Sequence, residues 1–129
     1  MLSRPTHLTV HETPLSSFWL DEDGVLNIVT KKTNVNLDNL TQHLNSIKSV
    51  TNGQKVCCLA TVQIQSVDKA SRELTKKEVG NLIKANALLT NSSLAKMIAT
   101  VLFVIISPKI PTKLFTDKEE ARKWLIKYI

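Results

Sequence analysis

The clearest pattern of hydrophobic positions lies in residues 55–65 (KVCCLATVQIQ), where apolar side chains alternate along the chain. One alternating set consists of Val56, Cys58, Ala60, Val62 and Ile64. The positions between them are also apolar as far as Leu59 and then become polar. A period of two predicts a β-strand, and two apolar sets predict that both of its faces are covered. We therefore expect this central strand to lie inside a sheet that carries helices.

The segment before the central strand predicts an antiparallel hairpin followed by one helix. Residues 16–20 and 25–30 have strand patterns, and Gly24 between them supplies the positive φ that a tight turn needs. Asn36 then occupies an N-cap position before a stripe of leucine and isoleucine at helical spacing, which ends at Asn52-Gly53. Residues 1–14 contain two prolines and are interpreted as a loose N-terminal arm with room for a short edge strand.

The segment after the central strand begins with a helical pattern. Ser66 precedes a short amphipathic helix and occupies a position suited to its N-cap. The apolar side of this helix consists of Val67, Ala70 and Leu74. Thr75 and Glu78 match a capping box, which predicts that a new turn begins there. Residues 84–90 then alternate in the period of a strand, although their alanines and leucines also favour a helix. We predict a strand there, because a helix start follows at Asn91-Ser92-Ser93.

The C-terminal part of the chain predicts two further helices with a strand at residues 112–115 between them. The first follows Asn91-Ser92-Ser93, ends at Pro108 and carries an apolar stripe made of Leu94, Met97, Ile98, Val101, Leu102 and Ile105. Thr116 and Glu119 match a capping box for the last helix. Its apolar stripe consists of Ala121, Trp124, Leu125 and Tyr128, and we expect Trp124 to be its core anchor.

The order of these elements defines a fold class. From residue 55 onward strands and helices alternate with short links, which predicts a parallel sheet with right-handed crossovers. The N-terminal hairpin adds antiparallel strands, so the sheet is mixed and the class is α/β. The length of 129 residues fits one domain over residues 1–129 and is sufficient to bury a core.

Composition points to a cytoplasmic protein. Charged residues make up 22% of the chain, and the longest apolar run, residues 97–106, is about half of what a bilayer crossing needs. The N-terminus lacks the apolar region of a signal peptide. Cys57 and Cys58 are adjacent on the central strand, so their side chains point to opposite faces and are poorly placed to pair. We interpret them as buried thiols in a reducing compartment.

The positive charge lies in the second half of the chain. Residues 1–67 hold five basic and five acidic side chains, whereas residues 68–129 hold twelve and six, which accounts for the net charge of +6. A basic half can indicate an anionic partner. These lysines, however, are scattered over predicted helix surfaces without aromatic residues between them, as on a solvated face. We expect no specific nucleic-acid binding.

Three stretches resemble a known family. The segments FWLDEDGVLNI, SVDKASREL and PTKLFTDKEEARKWL are similar to uncharacterised bacterial members of the SpoIIAA-like, or STAS-like, family. This family includes regulatory regions of sulfate transporters and anti-sigma-factor antagonists. The resemblance implies a SpoIIAA-like fold over residues 18–125. It also implies that the loop after the central strand, which carries a phosphorylatable serine in the antagonists, corresponds to QIQSVD, where Ser66 stands without the Asp and Gly of that motif.

Two groups of residues are candidate sites. Ser66, Asp68 and Ser71 form a candidate partner-binding or switch site, for which an exposed apolar patch near residues 66–74 would be supporting evidence. The alternative for Ser66 is a structural N-cap. Leu94, Ile98, Val101 and Leu102 form a candidate apolar ligand pocket, and the alternative is ordinary core.

The remaining polar residues do not form a recognisable catalytic or metal site. The two cysteines have no identifiable base, and His7, His11 and His43 are widely separated. The acidic turn Asp21-Glu22-Asp23 has carboxylates that could hold a cation, but no further oxygen ligands are predictable, and we interpret it as a solvated hairpin turn. We expect no metal, no cofactor and no enzymatic activity. The leading hypothesis is a non-enzymatic regulatory or interaction domain that binds a protein partner and can form a homodimer. The alternative is a carrier or sensor of a small apolar ligand.

Overall fold

Eight strands and three helices form the part of the chain that the computed structural model describes, residues 5–61, 66–89 and 110–129. The strands are β1 (His11–Glu12), β2 (Ser16–Leu20), β3 (Leu26–Thr30), β4 (Asn34–Val35), β5 (Val56–Thr61), β6 (Ser66–Val67), β7 (Ile83–Leu89) and β8 (Thr112–Phe115). The helices are α1 (Leu37–Thr51), α2 (Lys69–Leu82) and α3 (Lys118–Ile126).

Six of the strands form one mixed sheet in the order β1-β2-β3-β5-β7-β8. The pairs β1–β2 and β2–β3 are antiparallel, whereas β3–β5, β5–β7 and β7–β8 are parallel. The strands β4 and β6 form a separate parallel pair. The predicted hairpin, the central position of β5 and the parallel C-terminal half are confirmed. The edge strand of the N-terminal arm is also present, as β1.

The turn between β2 and β3 is built around a side chain that the sequence analysis assigned to a solvated tip. The Asp21 carboxylate accepts hydrogen bonds from the backbone N–H groups of Asp23 and Val25, at 2.9 and 3.0 Å. Gly24 has a φ of 78°, a value that L side chains rarely adopt. The turn therefore uses glycine as predicted, and its first acidic residue is a structural part of it.

Two apolar cores lie on opposite faces of the sheet. The first core contains Phe18, Leu26, Ile28, Cys58 and Ala60 together with Ile47 of α1 and Leu82 of α2. The second core contains Trp19, Val25, Cys57 and Leu59 together with Ala121 and Leu125 of α3. Adjacent residues of β5 therefore enter different cores, which confirms that both of its faces are covered. The two cysteines point to opposite faces, and burial raises the pKa of the Cys58 thiol to about 12.

Helix α1 begins and ends where the sequence predicted. Asn36 and Asn39 form a reciprocal capping box, in which each side chain accepts the backbone N–H of the other at 2.9 Å. At the other end Asn52 adopts the left-handed conformation, with a φ of 55°, and Gly53 follows with 73°. Lys48 near this end forms a 3.4 Å ion pair with Glu78 of α2.

The predicted start of α2 was wrong. Ser66 lies in β6, and the helix begins at Lys69 with Asp68 as its N-cap. The helix then continues without interruption to Leu82, so the turn predicted to restart at Thr75 does not exist. Thr75 is buried and donates a hydrogen bond to the Ser71 carbonyl one turn earlier. The buried face consists of Ser71, Thr75 and Leu82, whereas Ala70 is exposed.

Helix α3 differs from its prediction in its cap and in its anchor. The Asp117 side chain, not that of Thr116, caps the helix by accepting the Glu119 N–H at 3.2 Å. Leu125 is the anchor, because only 1% of it is exposed, whereas Trp124 is half-buried and Tyr128 is exposed. Residues 62–65 and the predicted helix that includes Leu94, Ile98, Val101 and Leu102 lie outside the described residues.

Candidate functional site

The predicted switch residues lie beside the small β4–β6 pair. Ser66 pairs with Asn34 and Val67 with Val35, and the Asp68 N–H donates to the Val35 carbonyl at 3.2 Å. The Ser66 hydroxyl donates to Asn34 Oδ1 at 2.6 Å. Ser66 is therefore an exposed strand residue that links β6 to β4, and it has no capping role.

Asp68 takes the role that the sequence analysis gave to Ser66. Its Oδ1 accepts the Ser71 N–H at 2.8 Å, and hydrogen bonding from Ser71 holds the pKa of the Asp68 carboxyl below its usual value. Ser71 itself is completely buried. Of the three predicted residues, Ser66 and Asp68 are therefore accessible to a partner and Ser71 is not.

Within residues 66–74, all of which the structure describes, no large apolar side chain is exposed, so the apolar patch expected there does not lie on this segment. Val67 and Leu74 are half-buried and pack against a small cluster that contains Leu15, Val35 and Leu40. The exposed side chains within residues 66–74 are polar or small, namely Ser66, Asp68, Lys69, Ala70 and Glu73. This surface can offer hydrogen bonds and charge to a partner, but it offers little apolar area.

Substitution at Asp68 tests the revised capping assignment. We expect Asp68→Ala to lower the urea midpoint of unfolding, because the Ser71 N–H at the start of α2 loses its acceptor. Asp68→Asn should stay close to wild type, since asparagine caps equally well. Ser66→Ala should also remain close, because Ser66 bonds only to an exposed side chain. A larger loss for Ser66→Ala than for Asp68→Ala would contradict the assignment.

A second surface lies where α3 meets the edge of the sheet. The Phe115 and Trp124 rings have centroids 5.7 Å apart, and those of Trp124 and Tyr128 are 5.0 Å apart. The Lys113 ammonium lies 5.5 Å from the centre of the Phe115 ring. We call these four side chains the aromatic surface. Two aliphatic residues close to it in the chain, Ile126 and Ile129, are 63% and 57% exposed.

Two sets of contacts fix the orientation of the aromatic surface. Ala121 and Leu125 bury the inner side of α3 in the second core, where Phe115 and Trp124 also pack. On the opposite flank, Arg122 Nη1 contacts Asp21 Oδ2 at 3.0 Å and Nη2 contacts Asp23 Oδ2 at 2.6 Å. The helix is thus tied to the β2–β3 turn, which leaves Trp124 beside β8.

The ion pair with Arg122 helps to lower the pKa of the Asp21 carboxyl. Burial alone would raise the pKa of this carboxyl, but hydrogen bonds from Asn27 and Arg122 outweigh that effect and hold the pKa below its usual value. Asp21 is therefore ionised at neutral pH and serves the turn and α3 together. We assign it a structural role.

The aromatic surface was not predicted from the sequence, although the sequence contains a signal for it. The chain has only six aromatic residues besides histidine, and three of them fall within residues 115–128. Phe115 was assigned to the predicted strand at residues 112–115, and Trp124 and Tyr128 to the apolar stripe of the last helix. Which part of each ring stays exposed depends on where β8 lies in the sheet.

A cleft of about 330 Å³ lies at the N-terminal end of β5. Leu20, Val50 and Val56 provide apolar walls, and Lys55 and Lys84 line its polar part. Neither lysine forms an ion pair with a carboxylate of the described residues. The predicted pocket at Leu94, Ile98, Val101 and Leu102 lies outside the described part of the chain.

The three histidines do not come together. His43 is half-buried beside the Phe18 ring, its Nδ1 is 3.1 Å from Ser16 Oγ, and burial lowers its pKa to about 4. His11 stacks on Phe18 with ring centroids 5.2 Å apart, and His7 contacts Glu22 at the surface. Within residues 5–61, 66–89 and 110–129 there is no group of three or more His, Cys, Asp or Glu side chains that could hold a metal ion. None of the helices in those ranges is long and apolar enough to cross a membrane.

Comparison with known proteins identifies a family and a fold. The sequence profile of a domain of unknown function, DUF7793, matches residues 18–129. The structure is similar to the crystal structure of an uncharacterized DUF3478-family protein with a SpoIIAA-like fold from Shewanella loihica PV-4. The TM-score is 0.53 and the identity 14%, over 97% of this chain and 99% of that one. This likeness confirms the predicted SpoIIAA-like fold. The search of curated proteins found no match.

Proposed function

We propose that this chain, which belongs to the DUF7793 family, is a non-enzymatic regulatory domain that binds a protein partner. The observation that carries the proposal is the aromatic surface of Lys113, Phe115, Trp124 and Tyr128. Tryptophan and tyrosine are enriched at protein interfaces, where a few such residues provide most of the binding energy. A half-exposed Trp124 between two other rings is a suitable anchor of this kind.

The polar surface at Ser66 and Asp68 is a secondary contact in this proposal. The resemblance to anti-sigma-factor antagonists associates regulation with the start of α2, and both side chains are accessible there. Phosphorylation of Ser66 would place added negative charge close to the Asp68 carboxylate. Such a modification would change the charge offered to a partner and leave the cores untouched.

Co-purification with matched variants tests the proposal. Tyr128→Ala removes an exposed ring, so the domain should stay folded, as far-UV circular dichroism would verify. Leu37→Ala is the control, because Leu37 is a 45% exposed apolar residue on α1. We expect a partner from the native host to bind wild type and Leu37→Ala and to be lost with Tyr128→Ala. Equal recovery with all three proteins would contradict the proposed surface.

The same samples distinguish a heterologous partner from self-association. Analytical ultracentrifugation of the purified chain reports its oligomeric state directly. A dimer that Tyr128→Ala dissociates would make a second copy of the chain the occupant of the surface. The carrier hypothesis remains a separate prediction, since Leu94, Ile98, Val101 and Leu102 lie outside the described residues.

A further inference from the structure

Among the residues that the structure describes, strand β8 has one unpaired backbone edge, and it lies beside the aromatic surface. It is the last strand of the six-stranded order and pairs with β7 alone among the strands of the described ranges. In a parallel ladder, about half of the backbone N–H and C=O groups of an edge strand point away from its neighbour. These groups can pair with an added strand, which is a common mode of peptide recognition.

The side chains of β8 alternate between the two faces of the sheet, so an added strand would lie beside those on each face. Leu114 packs against the first core, so Lys113 and Phe115 lie on the opposite face, which α3 covers. Phe115 contacts Trp124 on that face. A strand paired with β8 would therefore place every second side chain against these two rings. The open backbone and the aromatic contacts belong to one continuous site.

The charge beside this edge indicates the chemistry of its occupant. Lys113, Lys123 and Lys127 are exposed on β8 and at the end of α3. Lys123 contacts Glu120 at 3.5 Å, whereas Lys113 and Lys127 form no ion pair with a carboxylate of the described residues. A second copy of this chain would bring the same lysines together, and such like-charge contacts are unfavourable. An acidic segment is complementary to this surface.

From these three features we infer that the partner binds through an extended acidic segment, which adds to the sheet as a strand beside β8. On the face that α3 covers, its apolar side chains contact Phe115 and Trp124, and its carboxylates on the same face meet Lys113 and Lys127. The inference rests on the proposed function and specifies the partner's chemistry. Backbone hydrogen bonds provide attachment, and alternate side chains provide selectivity.

Peptide titration followed by ¹⁵N NMR tests the inference. The probe is a capped peptide of repeated Thr-Val-Thr-Glu, in which Val and Glu follow each other on one face of the strand, and its matched controls carry Lys in place of Glu or N-methyl groups along the backbone. We expect the acidic peptide to shift amide signals of residues 112–115 and 124–128 and to lose affinity as salt rises. Neither control should bind, because one has the wrong charge and the other cannot pair as a strand.

Charge reversal supplies the second arm of the test. Lys113→Glu should weaken the acidic peptide by about tenfold or more, whereas Lys69→Glu on α2 should leave binding unchanged. Binding that survives N-methylation, or that ignores Lys113→Glu, would overturn the inference, as would failure of the acidic peptide to bind. The proposed function would still stand if Tyr128→Ala abolished partner recovery in the co-purification, so the two failures are distinguishable.

Discussion

Leu125→Ala should lower the free energy of unfolding by about 2–5 kcal/mol, the range for removing a buried leucine. Only 1% of Leu125 is exposed, and with Ala121 it contributes the buried side of α3 to the second core. Helix α3 has nine residues, too few for a stable isolated helix, so its attachment depends on this packing. The loss would be a large part of the stability of an ordinary domain.

Urea unfolding of two neighbouring variants measures this effect. Ile126→Ala removes a similar apolar side chain that is 63% exposed, and we expect a change within about 0.5 kcal/mol. Trp124→Ala should fall between the two variants, because Trp124 packs against the same core while remaining half-buried. Coinciding midpoints for Leu125→Ala and wild type would show that the packing of α3 has been misassigned.

The strand pattern was the most informative part of the sequence. In β5 each alternate set of side chains fills a different core, so the period of two directly reported two covered faces. The strand at residues 84–90 was ambiguous because alanine and leucine also favour helices. The strand prediction is confirmed, because Ala85, Ala87 and Leu89 lie on one face of β7 and all enter the second core. Burial on a sheet overrode intrinsic preference there.

The start of α2 shows what a local pattern cannot resolve. Ser66 and Asp68 are both good N-cap residues and stand two positions apart, so either could begin the helix. The choice depends on the pairing of β6 with β4, which lie more than thirty residues apart in the chain. No local sequence signal encodes that pairing. The correct cap followed only from tertiary structure.

The candidate site was harder to predict than the fold for a related reason. Periodicity assigns a residue to a face of its own element, but the exposure of that face depends on its neighbours. Trp124 shares a helical stripe with Leu125, yet Leu125 lies over the sheet and Trp124 lies towards the edge strand. Trp124 is partly exposed because β8, the strand beside it, is the last in the strand order, and the sequence does not reveal that order.

Stability should fall between about pH 6.5 and pH 4 because of His43. Burial beside the Phe18 ring, at a ring distance of 6.1 Å, lowers the His43 pKa from 6.5 to about 4. The folded state therefore favours the neutral imidazole, whereas the unfolded chain accepts a proton near pH 6.5. The stabilising contribution is complete above that pH and is lost as the pH falls through the folded-state value. A shift of this size corresponds to about 3 kcal/mol.

Unfolding free energies measured from pH 8 to pH 4 in wild type, His43→Gln and His7→Gln isolate this contribution. Carboxylates titrate in all three proteins, so the difference between wild type and His43→Gln removes their effect. We expect that difference to be constant above pH 7 and to shrink by about 3 kcal/mol towards pH 4. His7→Gln should follow wild type, because His7 lies at the surface. Parallel curves for wild type and His43→Gln would mean that His43 is protonated as readily in the folded domain as in the unfolded chain.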